Sequence, residues 1–135
     1  MKKLSQKKFS FFNFLMLLLM PMTLFNLMMW INIVIKNPKI ENFYDIIVLP
    51  IMILGGLIIA FYPLVIFALI IEISYQKEYI KNYFKFILYG GSIGTLIYIL
   101  FVGLKDINSI RNILEIFIIH TLSVAIVYRD MRKIY

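Results

Sequence analysis

From Phe9 to Ile35 the chain runs for 27 residues without a charged side chain. A helix needs roughly 20 mostly apolar residues to cross a hydrocarbon core about 30 Å thick. Lipid offers no partner to a free N–H or C=O, so an apolar segment of this length that enters a bilayer closes its own hydrogen bonds as a helix. Three further apolar blocks follow, and the expected spans are about 9–35, 46–71, 86–104 and 112–128. The fold class these blocks predict is all-α: a polytopic membrane helix bundle with four transmembrane helices, forming one integral membrane domain over residues 1–135. The start, Met1-Lys2-Lys3-Leu4-Ser5-Gln6-Lys7-Lys8, imitates a secretory signal. The apolar run behind it far exceeds a signal core of about 7–15 residues, and no small-x-small cleavage site follows, so the first span is expected to be retained.

Composition fits lipid as the solvent. Hydrophobic residues make up 62% and charged residues 16%, against roughly 45–50% and about 25% in soluble domains. The net charge of +7 raises the question of nucleic acid, but the basic residues sit at the edges of apolar blocks rather than on one face of a soluble domain. There they set orientation and meet anionic headgroups. Lys2, Lys3, Lys7 and Lys8 precede the first block, Lys77, Lys81 and Lys85 lie in the central connection, and Arg129, Arg132 and Lys133 follow the last block; the other two connections hold only Lys36, Lys39, Lys105 and Arg111. Ten against four in alternate segments predicts an even number of spans with both termini cytoplasmic. The expected address is a cell membrane, and the expected partners are the lipid bilayer and either a second copy of the chain or another membrane protein, not nucleic acid.

Proline and glycine punctuate the blocks. Pro21, Pro50 and Pro63 each remove a backbone donor, so bends are expected there, most of all in the second span, where Pro50 and Pro63 flank Gly55-Gly56. Gly90 and Gly94 in the third block form a small-xxx-small pair and are candidate helix-packing residues through which another helix, or another copy, can approach closely. In the central connection Tyr75, Tyr79 and Tyr83 repeat every four residues, as do Lys77, Lys81 and Lys85. That segment is expected to extend the helices or to lie along the interface as a tyrosine and lysine anchor, with Trp30 in the opposite interfacial belt.

Chemistry is scarce. Glu115 and His120 are the candidate intramembrane polar residues, because a bilayer makes ionisable side chains expensive. Five positions apart on a helix, they point about 140° from each other; His120 shares a face with Ile116, Phe117, Ser123 and Val124, where a neutral imidazole can bond across to another helix or carry a proton. Glu72 reads as a boundary residue at the inner end of the second span. Asn13, Thr23, Asn26 and Asn32 offer hydrogen bonds between helices. With one histidine, no cysteine and seven scattered acidic residues, neither a metal site nor a thiolate nucleophile is expected. Gly90-Gly91-Ser92-Ile93-Gly94 lacks the lysine of a phosphate-binding loop, and nothing resembles a nucleophile elbow. No catalytic residue, cofactor or enzymatic activity is expected.

Small multidrug exporters match in size and span number, but they carry an essential glutamate in their first helix, and Phe9 to Ile35 contains no acid. In its length, its span layout, its lysine-rich start and its ending Val127-Tyr128-Arg129-Asp130-Met131-Arg132-Lys133, the chain resembles the small uncharacterised four-span membrane proteins of low-GC Gram-positive bacteria and their prophages. The resemblance implies a plasma-membrane address and assigns no functional residue. The function expected from all of this is a non-enzymatic membrane protein working through helix contacts, in an immunity, regulatory or accessory role. A small oligomeric or proton-coupled transporter and a phage lysis-type pore former are the alternatives.

Overall fold

The structure, a computed structural model, describes residues 8–36, 51, 54–55, 58–102 and 110–133, with the side chains of 33, 34, 36, 102, 132 and 133 outside the description. The described residues are helical, without strands: α1 (Phe11–Lys36), α2 (Phe61–Gln76), α3 (Tyr83–Val102) and α4 (Ile110–Val127), closed by a 3-10 turn at Arg129–Lys133. Phe11–Asn32, Tyr83–Phe101 and Ile110–Val127 are long and apolar enough to cross a membrane, whereas α2 is a shorter apolar helix of 16 residues. Large apolar side chains face outward along all four helices, among them Phe12, Tyr62, Leu100 and Ile110, each 70% exposed or more. Outward hydrocarbon of this kind, on helices long and apolar enough to cross a membrane, is compatible with lipid as the outer solvent.

Local signals set the helix ends. Ser10 caps α1: its Oγ accepts the Asn13 N–H at 3.2 Å and its carbonyl accepts the Phe14 N–H at 3.0 Å, satisfying first-turn donors that the helix itself cannot. Asn82 does the same for α3, its Oδ1 accepting the Lys85 N–H at 3.1 Å. The C-terminus of α2 closes with Glu78 N–H donating to the Tyr75 carbonyl and Tyr79 N–H to the Ser74 carbonyl. This is the paired C-terminal closure that needs one left-handed residue; Glu78 supplies it at φ 49° in place of the usual glycine. The turn splits the tyrosine repeat. Tyr75 ends up on α2 with its ring 4.5 Å from that of Tyr128, and Tyr83 opens α3 with its hydroxyl donating to the Ala125 carbonyl at 3.0 Å. Only Tyr79 stays largely exposed, so the three do not form the single interfacial row expected from their spacing.

The prolines act differently from one another. Pro21 is buried inside α1 and deprives the Leu17 carbonyl of its usual donor. Pro63 is the third residue of α2, where its missing N–H would have been an orphan in any case. The chain instead turns at Ala60, whose carbonyl accepts the Leu64 N–H at 3.1 Å. Residues 58–59 are helical and Ala60 is a turn, so the interruption expected near Pro63 falls three residues before it. Pro50 and Gly56 lie outside the described residues.

The main contacts run α1 to α2, α2 to α3, α3 to α4 and α4 back to α1, a closed ring of neighbours in which α3 and α4 meet most extensively. The α3–α4 seam is antiparallel. A Cβ added at Gly90 would meet Val124, one at Gly91 would overlap Thr121 and crowd Phe117, and one at Gly94 would overlap His120. Gly90 and Gly94 are therefore turned toward α4 of the same chain, where bare backbone lets β-branched and imidazole side chains nest. The core beneath this seam is built on Leu17, Phe67, Ile71, Phe86 and Val124.

Candidate functional site

Two places in the bundle combine burial with polar chemistry. The first is a node around Glu72, which is 0% exposed although it carries a carboxylate. Its Oε1 accepts the backbone N–H of Ser10 at 2.9 Å, and its Oε2 accepts a short hydrogen bond from the Tyr128 hydroxyl. The Ser10 bond completes the α1 cap from outside. In a capping box a glutamate three residues into the helix receives the N-cap N–H; here a glutamate 62 residues away does so. Tyr128, one residue past α4, packs edge-on against Phe86 at 5.2 Å and beside Tyr75. Its hydroxyl is buried there as the donor to the Glu72 carboxylate. One side chain thereby ties the start of α1, the last turn of α2 and the end of α4 to one end of the bundle. Lys8, Lys77, Lys81, Lys85 and Arg129 lie exposed around that same end.

The second place is a cavity of about 500 Å³ toward the opposite end, bordered by all four helices. Its buried walls include Asn26, Leu64, Phe67, Ile97, Ile119 and His120, and its rim is formed by the more exposed Phe25, Tyr62 and Phe101. His120 is 9% exposed. Its Nδ1 lies 2.8 Å from the Ile116 carbonyl; a carbonyl only accepts, so Nδ1 carries the proton and, in the neutral ring, Nε2 is an acceptor. The ring stands edge-on to Phe67 at 4.8 Å and 82°. Asn26 likewise donates through Nδ2 to the Met22 carbonyl at 2.9 Å, which leaves its amide oxygen as an acceptor.

Helix-interior polar side chains follow one pattern. Thr23, Asn26, Ser74, Ser92, Thr95, His120, Thr121 and Ser123 each bond the carbonyl four residues earlier in their own helix. The bonds between helices expected of His120, Asn26 and Thr23 are instead bonds within helices, because an i−4 carbonyl is always in reach of a short side chain and needs no partner helix. Ser74 adds a contact to Tyr89 across to α3 at 3.3 Å. Glu115 sits in the second turn of α4, paired at 2.9 Å with Arg111 four residues before it, and does not meet His120. Among the described residues no group of three or more histidine, cysteine or acidic side chains converges as a metal site.

Sequence reasoning missed the Glu72 node. An acid closing an apolar block reads as an interfacial residue, and only the distant Ser10 and Tyr128, both able to donate, turn it inward. No protein-family model matches the chain, nor does any curated protein or solved structure.

Proposed function

We propose that this chain is a four-span bacterial plasma-membrane protein that performs no catalysis and acts through helix contacts with another membrane protein, in a regulatory, immunity or accessory role. The observation that carries this reading is that most of the helix-interior polar side chains bond within their own helices. Among the described residues eight such side chains bond carbonyls of their own helices, and the few polar atoms left over, such as Trp30 Nε1 and Gln76 Nε2, favour helix contacts over a polar lane for a hydrated solute or ion. The outward surface, by contrast, is a broad field of Leu, Ile and Phe suited to packing against lipid or a second helix.

In this reading the Glu72 end is cytoplasmic, since its exposed lysines and Arg129 follow the positive-inside bias and meet anionic headgroups there. The approach of Ser10 and Tyr128 to one carboxylate supports both ends of the chain lying on the same side as the central turn. The expected second span, about 46–71, begins outside the described residues, of which α2 (Phe61–Gln76) is its described helix. A small proton-coupled transporter is the second reading, favoured by one observation: His120 borders the cavity.

Vesicle reconstitution separates the two. Proton flux, followed with an entrapped pH-sensitive dye, is expected to match protein-free vesicles. Flux that appears with the parent and vanishes in His120→Ala would replace the contact reading with transport. In cells, a photo-crosslinking residue at Leu19, Ile66, Leu96 or Leu122, one outward position per helix, is expected to give a discrete protein adduct from a subset of faces. Lipid adducts alone from all four would refute a protein partner.

A further inference from the structure

We infer that the cavity bordered by His120 is a binding site for an uncharged, lipid-soluble molecule that carries a hydroxyl group, drawn from the bilayer. This goes beyond the contact role and rests only on the helices being in lipid. The volume, about 500 Å³, lies within the roughly 300–1,000 Å³ of small-molecule sites, which are likewise apolar with few polar groups. No Lys, Arg, Asp or Glu is among the bordering residues. A charged ligand would therefore be desolvated without a counter-charge, which excludes it. Walls of Phe67, Ile97, Ile116 and Ile119 leave most of that volume apolar.

The polar groups select the ligand's chemistry. Nδ1 of His120 is committed to Ile116, and its Nε2 has no partner among the described residues although the residue is nine-tenths buried. That atom can only accept, and the same holds for the amide oxygen that Asn26 retains after donating to Met22. An occupant that donates one hydrogen bond satisfies the imidazole; a pure hydrocarbon or an ether leaves it bare at a desolvation cost. The edge contact from Phe67 and the Nδ1 bond fix the ring against Gly94, so the acceptor is presented without reorganisation. Exposed Phe25, Tyr62 and Phe101 at the rim put the opening on the lipid-facing side of the bundle.

The test uses the full chain in lipid nanodiscs and a diazirine-bearing fatty alcohol as the photoprobe. Labelled positions are read by peptide mass spectrometry, with 1-decanol and decyl methyl ether as competitors. The expected result is labelling concentrated on Pro21–Asn26 and Ile97–Phe101, displaced by decanol at about two- to tenfold lower concentration than by the ether, the range one net hydrogen bond supplies. His120→Leu is expected to erase that difference, His120→Gln to retain part of it, and Ala60→Phe, which places a ring in the cavity wall, to abolish labelling. Labelling spread evenly over outward positions such as Leu19 and Leu122 overturns the site. Equal competition by alcohol and ether in the parent protein overturns the role of the acceptor, and that comparison holds even where a His120 variant does not fold.

Discussion

Replacing Gly94 with alanine tests the α3–α4 seam at its tightest point. The added methyl would overlap His120 Cδ2 and Cγ and lie 2.7 Å from its Cβ. The ring cannot swing clear while Nδ1 holds the Ile116 carbonyl and Phe67 packs against it at 82°, and the Cβ moves only with the backbone of α4. The helices must then separate, an overpacking cost of about 1–3 kcal/mol. Alanine also favours helix over glycine by up to about 1 kcal/mol, so Gly94→Ala alone mixes two effects of opposite sign. Gly55→Ala removes the ambiguity: Gly55 is exposed and helical, and a Cβ there meets nothing within 4 Å. The difference between the two variants cancels the helix term and leaves about 1–3 kcal/mol, placed toward the upper half because the Cβ contact cannot relax by a rotamer change. Reversible unfolding in mixed micelles on titration with an ionic detergent, followed by far-ultraviolet circular dichroism, measures both. Equal midpoints for Gly94→Ala and Gly55→Ala would refute the close approach of α3 and α4.

The same assay ranks the polar contacts. Tyr128→Phe deprives the buried Glu72 Oε2 of its donor and is expected to lose about 1.5–3 kcal/mol, as for hydrogen bonds to charged groups; a loss below that of Tyr83→Phe would contradict the node. Tyr83→Phe, which removes one neutral bond to the Ala125 carbonyl, is expected to lose about 1 kcal/mol. Arg111→Ala breaks a pair whose arginine side chain is 77% exposed and should change stability by no more than about 0.5 kcal/mol.

How far the fold could be read from residues depends on the kind of signal. The long apolar blocks pointed to helix, and three of them hold helices long and apolar enough to cross a membrane, α1, α3 and α4, since a bilayer-length apolar block leaves the backbone little choice but helix. The third helix starts at Tyr83 rather than Phe86 because Asn82 caps it, a short-range cue masked by the louder tyrosine repeat. Gly90 and Gly94 were visible as a packing pair, but not their partner: a small-residue face is equally suited to another copy and to another span, and only the packed fold turns it onto Val124 and His120. The cavity was not legible, because it needs Asn26, Phe67, Ile97 and His120 from four separate helices to border one space. Glu72 was legible as an unusual residue and not as a buried one, since its burial depends on donors 62 and 56 residues away.

The central claim is a four-span bundle whose Glu72 end faces the cytoplasm, and topology tests it most directly. The chain has no cysteine, so single substitutions Asn37→Cys, Lys81→Cys, Asn108→Cys and Lys133→Cys can each be probed in intact cells with a membrane-impermeant thiol reagent. The account predicts labelling at positions 37 and 108 and protection at 81 and 133 until the membrane is opened. Labelling of position 133 from outside while 81 stays protected would contradict it, because Tyr128 and the central turn could not then share one end of the bundle.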